Sequence, residues 1–295
     1  MQNDNLKSYL QLHFIVFIWG FTAILGELIS IDALPLVWFR MTMAVFFIAI
    51  FIFYKKINVV VPRKVMFYFF LLGLVIALHW LTFFKAIKVS NVSVTLACLS
   101  TGAFFASFLE PILHKRKIIW YEVFFGLIVI FGLYIIFKVE GNFYFGIILA
   151  LISAFLSALF SVMNSKFAKM YSPSVISFYE LFGGVLCFSI YLFFSQSFNA
   201  DFFILQPMDW VYLLILSSIC TAYAFIASVE VMKFISPYTV MLTINLEPIY
   251  GIILAIQIFK DKEKMSPEFY FGALLILFTV IVNGLIKYRL KNKRD

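Results

Sequence analysis

Glu247 is followed by Pro248 near the middle of a long apolar stretch, residues 236–259. A charge at the centre of a membrane helix costs about 2.5–3.5 kcal/mol on insertion scales. The proline also removes a backbone donor beside it. The pair reads either as a proton carrier or substrate-amine partner, or as a structural carboxylate that caps broken backbone or pairs with Arg40. Thr243 and Tyr250 fall on the same face. Arg40 lies about one turn inside another apolar stretch, 36–53, where it meets a substrate carboxylate, forms a structural or gating ion pair, or snorkels outward. His79 and Trp80 sit together in 65–87. An unperturbed imidazole titrates near neutral pH, so His79 suits substrate binding or proton relay as well as packing.

Further candidates follow from helical spacing. Ser153, Ser157, Ser161 and Asn164 recur every three or four residues and form one polar stripe; Ser217, Thr221, Ala224 and Ser228 form a second. Such stripes line a wet cavity or let helices approach closely. Asn164 is larger than packing requires. Glu180 shares a stripe with Gly184 and Cys187, while Trp19 and Tyr223 are aromatic wall candidates. Lys85 and Glu230 hold similar late positions in two stretches that end on opposite sides, so each is a gate candidate at its own end. Glu110 lies beside His114 and Lys115, where a surface ion pair accounts for it.

These residues need ten apolar stretches to position them: 10–29, 36–53, 65–87, 91–112, 118–137, 142–164, 174–195, 210–232, 236–259 and 268–286. A membrane helix needs about 20 apolar residues. Continuous rather than alternating runs favour helices over a barrel. With 64% hydrophobic residues, 39 Phe and 13% charged residues, the chain has too few polar groups to cover a soluble domain of this size. Lys and Arg gather on alternate links, among them Lys55, Lys56, Arg63, Lys64, Lys115, Arg116, Lys117 and the tail from Lys287. That bias puts both termini in the cytoplasm and explains the net charge of +8. Basic residues split among loops argue against a nucleic-acid patch. Cys98, Cys187 and Cys220 lack metal-ligand spacing, and the first stretch has no small-residue cleavage site.

The chain resembles itself when folded in half. A constant shift of 146 aligns Ser90 with Ser236, Val94 with Val240, Leu96 with Leu242, Glu122 with Glu268, Phe125 with Phe271 and Gly126 with Gly272. A shift of 140 aligns Trp38-Phe39-Arg40 with Phe178-Tyr179-Glu180. An odd number of spans in each half, 1–140 and 141–295, makes the second half upside down. Inverted repeats belong to transporters whose substrate site lies near the midplane.

The motifs Ile18-Trp19-Gly20, Trp38-Phe39-Arg40, Phe84-Lys85-Ala86-Ile87-Lys88-Val89-Ser90, Val231-Met232-Lys233-Phe234-Ile235-Ser236 and Leu246-Glu247-Pro248-Ile249-Tyr250-Gly251 come in a characteristic order. On them the chain resembles the drug/metabolite transporter superfamily, and within it the ten-helix EamA-like exporters, over nearly its whole length. The resemblance implies an all-α integral membrane fold of two inverted five-helix repeats, a central cavity, and transport of small metabolites by alternating access. It also suggests a bacterial inner membrane. Such proteins often have a proline in the fourth span matching Pro248; here the sequence is Ser100-Thr101-Gly102, so that span is expected to be less kinked than the ninth.

There is no G-x-x-x-x-G-K-[ST], G-x-S-x-G, H-E-x-x-H or paired-Cys motif, so neither a directly ATP-driven pump nor a hydrolase is indicated. No cofactor or metal is expected. The expected activity is secondary export of a small organic metabolite such as an amino acid or drug-like compound, with protons or an exchanged metabolite as further partners. The protein is expected in lipid as a monomer or homodimer. The rival readings are a membrane enzyme acting on lipid, for which Glu110-His114 is the local candidate, and a passive channel.

Overall fold

A computed structural model describes residues 2–114, 120–235, 240 and 243–292 of the 295-residue chain. The basic link Lys115–Lys117, Ser236 and Leu242 lie outside the described residues, as does the side chain of Glu122. The described secondary structure is helical, with no strand. The first half has α1 (Gln2–Leu28), α2 (Ala33–Lys55), α3 (Arg63–Val89), α4 (Val92–Leu99), α5 (Gly102–His114) and α6 (Trp120–Val139). The second has α7 (Tyr144–Phe167), α8 (Pro173–Phe194), α9 (Pro207–Ser217), a π-helix (Ser218–Tyr223), α10 (Ala224–Val231), α11 (Glu247–Phe259) and α12 (Pro267–Asn292). Among the described residues, seven helical stretches are long and apolar enough to cross a membrane: Lys7–Leu28, Ala33–Lys55, Arg63–Val89, Val92–Leu113, Gly141–Phe167, Pro173–Phe194 and Pro207–Val231. Phe124–Val139 and Pro267–Asn283 are shorter apolar helices.

Three of these rods are interrupted, each for a local reason. Between α4 and α5 the hydroxyl of Ser100 donates to Ala97 O (2.6 Å) and that of Thr101 to Cys98 O (2.7 Å). The Thr101 N–H also turns back three residues, to Cys98 O. Hydroxyls that compete for nearby carbonyls end a helix without a proline. The fourth span is therefore broken, contrary to the expectation from its missing proline. At the start of α11 the Leu246 N–H bonds Thr243 O three residues back, and Pro248 has no N–H to give. The two breaks, at 100–101 and 245–246, fall at nearly equivalent places in the two halves. The π-helix adds a residue to the turn between α9 and α10, and Thr221 donates to Leu216 O, five residues back.

Packing repeats when the halves are exchanged. α1 packs on α11 as α7 packs on α5, and α3 packs on α7 as α1 packs on α10. α3 meets α8 as α2 meets α9 and the π-helix. The pairs α2–α8 and α6–α12 are their own counterparts. α6 and α12 lie mainly on each other, where Gly132 and Gly272 each face the other's carbonyl oxygen. The tightest crossing is α3 on α8. A Cβ at Gly73 would collide with the Glu180 carbonyl, and one at Gly184 would lie 2.8 Å from the Gly73 carbonyl oxygen. Backbone cannot swing aside as a side chain can. Gly73→Val should therefore destabilise the protein by more than the about 1–3 kcal/mol usual for overpacking, read as a lower thermal midpoint in detergent micelles. An unchanged midpoint would contradict this packing.

Candidate functional site

The interruptions converge on one cavity. It leaves about 80 Å³ for the centres of water-sized molecules, where a single water needs about 10–15 Å³ on that measure. Leu99 and Gly102 flank the α4–α5 break on its wall, and Ile244, Asn245 and Glu247 flank the α11 break. Trp19 comes from α1, Arg40 from α2, His79 and Trp80 from α3, Ser157 and Ser161 from α7, and Ser228 from α10. Both halves thus supply the wall.

Arg40 is 1% exposed. Its Nε donates to Thr221 Oγ1 (2.7 Å), and its guanidinium carbon lies 3.9 Å from the Trp80 ring centre. A cation over an indole face is stabilised by the ring quadrupole. Nη1 is buried without a partner among the described residues, and so is Asn245 Nδ2. Two donors therefore await an acceptor. The π-helix serves this site twice, because it brings Thr221 to Arg40 and presents Cys220 O to Trp19 Nε1 (3.2 Å).

His79 Nδ1 lies 2.9 Å from Ser153 O, which can only accept, and 2.8 Å from Ser153 Oγ. The Ser153 hydroxyl is itself directed to His79 O (3.0 Å). This network assigns the proton to Nδ1 and leaves Nε2 of the neutral ring as an acceptor. Glu247 is 7% exposed and lies close enough to Arg40 for the two charges to interact. The cavity thus holds one fixed cation, one carboxyl group and one imidazole acceptor among aromatic and apolar walls. It can grip a small molecule at two polar ends.

The two-part packing and the motifs have one source. The chain belongs to the EamA-like transporter family. Residues 6–138 and 144–285 each match it, one repeat per half. The EamA-like family is one of membrane transporters for small substrates, which agrees with the many apolar helices here. A solved crystal structure is similar in fold, with a TM-score of 0.69 over 96% of this chain and 98% of that one, at 13% sequence identity. A search of curated proteins finds no match.

Of the residues singled out by sequence, this EamA-like chain brings Trp19, Arg40, His79, Trp80 and Glu247 to the cavity. Asn164 and Glu180 lie off it. They are buried against each other, with Asn164 Nδ2 donating to Glu180 Oε2 (3.1 Å). Tyr223 is 46% exposed and sits edge-on to Phe14, off the cavity. Glu110 is buried on α5, and the side chain of its sequence neighbour His114 lies outside the described residues. Among the described residues, no group of three or more His, Cys, Asp or Glu side chains is placed to hold a metal.

Sequence spacing does not reveal the ties at the end of the molecule where α1 joins α2. Asp209, at the start of α9, accepts from Ser30 N (2.8 Å) and Ser30 Oγ (2.6 Å). Glu263, just beyond α11, accepts from Val92 N (2.9 Å) and Ser93 N (2.8 Å) at the start of α4. Each joins one half to the other. Lys88 Nζ donates to the carbonyls of Glu27 and Ile29. Lys85, a gate candidate, instead bonds Asp32 within its own half at 3.0 Å, and Glu230 is exposed. Partial burial would raise the Asp32 carboxyl, but the Ala33 N–H and the Lys85 ammonium outweigh it and hold it below the usual range. Glu263→Ala should lower the thermal midpoint in micelles, since losing a helix-end acceptor costs about 0.5–2 kcal/mol. Glu263→Gln, with one acceptor oxygen left, should fall between. Equal midpoints for all three proteins would count against the cap.

Proposed function

We propose that the protein is a secondary transporter that exports a small amphoteric metabolite, such as an amino acid or a drug-like compound of similar polarity, by alternating access. The observation that carries this reading is the meeting of two broken helices at a cavity that buries Arg40 and Glu247 together. Half-helix ends at a site between repeats are the arrangement by which transporters expose substrate to loosened backbone. Arg40 and Asn245 offer donors to a substrate anion, Glu247 and His79 Nε2 offer acceptors to its cationic or donor end, and Trp19 and Trp80 cover its apolar body. A fixed cation and a carboxyl group in one small cavity suit a ligand that has an anionic end and a cationic or donor end.

In this reading the chain crosses the membrane ten times, with its halves inverted and both termini on the cytoplasmic side, which the Lys and Arg bias supports. The inter-half ties through Ser30–Asp209 and Val92/Ser93–Glu263 then form the outer gate in its closed state.

The test is efflux from liposomes carrying the purified protein and loaded with an isotope-labelled metabolite extract, resolved by mass spectrometry. The protein should release a narrow set of amphoteric solutes. Arg40→Met should weaken that release roughly tenfold to a hundredfold, the factor expected for losing a charge-assisted bond of about 1.5–3 kcal/mol. Glu247→Gln should abolish or uncouple net efflux in a folded protein. Normal efflux and exchange by Glu247→Gln would overturn its role, and release of solutes without regard to charge would overturn the substrate class.

A further inference from the structure

Glu180 is fully buried in α8, yet it does not face the cavity. Its Oε2 accepts one hydrogen bond, from Asn164 Nδ2 on α7 (3.1 Å). Its Oε1 has no partner, and neither does Asn164 Oδ1; both atoms are buried. On the elements packed against it the ionisable groups point elsewhere. Arg40 on α2 reaches Thr221, His79 on α3 reaches Ser153, Lys166 on α7 reaches Leu113 O, and Glu230 on α10 is exposed. Lys55 of α2 and Arg63, Lys64, Lys85 and Lys88 of α3 sit at helix ends, and Cys187 lies two turns along α8 itself. Glu180 thus has no described counter-ion.

An ionised carboxylate only accepts, and an amide oxygen only accepts. The two orphan oxygens of this pair cannot satisfy each other while Glu180 is charged. One proton on Oε1 satisfies both, because the new O–H donates to Asn164 Oδ1 and closes a two-bond carboxyl–amide ring. The alternative, an unpaired carboxylate with a single donor in an apolar interior, is costly.

We infer that Glu180 is a proton-binding site, separate from the cavity, whose protonated form clamps α8 to α7 through Asn164 and whose ionised form releases the clamp. The proton comes from water and returns to it, and the site changes from −1 to 0 on loading. Its position links it to the cavity. The Glu180 backbone rests on Gly73 at the α3–α8 crossing, and α3 carries His79 and Trp80 into the cavity wall. The link to conformation rests on the transport reading above; the proton site itself does not.

Glu180→Gln permits a direct test, because a glutamine amide reproduces both bonds of the protonated ring and cannot ionise. Infrared difference spectra of the purified protein between acid and alkaline buffer should show a carboxylic-acid C=O band that Glu180→Gln loses. Asn164→Ala, which keeps the acid but removes its partner, should move that band to higher frequency. A band unchanged in both variants would overturn the site. Coupling is read from a cysteine at Ser157, on the cavity wall, in a protein whose three native cysteines are replaced. Its reaction with a membrane-impermeant maleimide in proteoliposomes is normalised to a cysteine at exposed Asn58. Normalised labelling should differ between acid and alkaline bath with Glu180 and be equal with Glu180→Gln. Equal pH dependence in both would make Glu180 a structural acid and overturn the switch. A cysteine at Ser157 that never labels from either side would refute the transport cavity, while the infrared band would still decide the proton site.

Discussion

A peptide group that loses its helical partner inside hydrocarbon has no water to replace it. That constraint decides where this chain is allowed to be irregular. The α4–α5 turn, the turn before α11 and the π-helix interrupt otherwise continuous apolar rods. The two turns border the cavity, and the π-helix holds the Arg40 and Trp19 side chains that line it. Elsewhere among the described residues the long helices stay whole. The site is therefore where the fold places its irregular backbone, and polar side chains follow because an irregular pocket is the cheapest place to bury them.

Much of this was legible in the sequence, because spans and stripes are local. Continuous apolar runs mark the helices, and the three-or-four spacing of Ser153, Ser157, Ser161 and Asn164 marks one face of α7. That face divides its work: Ser153 fixes His79, Ser157 and Ser161 line the cavity, and Asn164 holds Glu180. What sequence spacing could not supply was phase and distance. Tyr223 belongs to none of the polar stripes and lies against Phe14, away from the cavity. Proline alone is too narrow a signal for a broken helix, since Ser100 and Thr101 break theirs with hydroxyls. The roles of Asp209 and Glu263 cannot be read from local spacing, because their partners, Ser30 and the Val92–Ser93 amides, lie 170 or more residues away.

The repeat sharpens what the charges mean. Arg40 and Glu180 occupy matched positions in α2 and α8 and are among the most deeply buried ionisable residues, yet they carry opposite signs. One matched position thus holds two unlike groups. Arg40 turns to the cavity, where an indole face and Thr221 hold a cation that cannot readily shed its proton. Glu180 turns to a neutral amide, where a group able to lose its charge is suited to stay. A permanent charge favours binding; a removable one favours switching.

The same contrast separates the middle of the molecule from its α1–α2 end. Bonds from Asp209 and Glu263 to backbone N–H groups join the halves near the helix ends, where water can replace each one as it opens. Net exchange of such a bond for water is worth only about 0.5–1.5 kcal/mol. In the packed interior away from the cavity no water stands ready, and each orphaned group carries its full desolvation cost. Repeats that tilted against each other would part more readily at those ends than at the packed α3–α8 crossing. The α3–α8 crossing, with glycine backbone against backbone at Gly73, Gly183 and Gly184, has the closest approach and the least freedom to deform. A proton that loosens or fastens α8 at that crossing acts where a small displacement is carried furthest by the helices on either side.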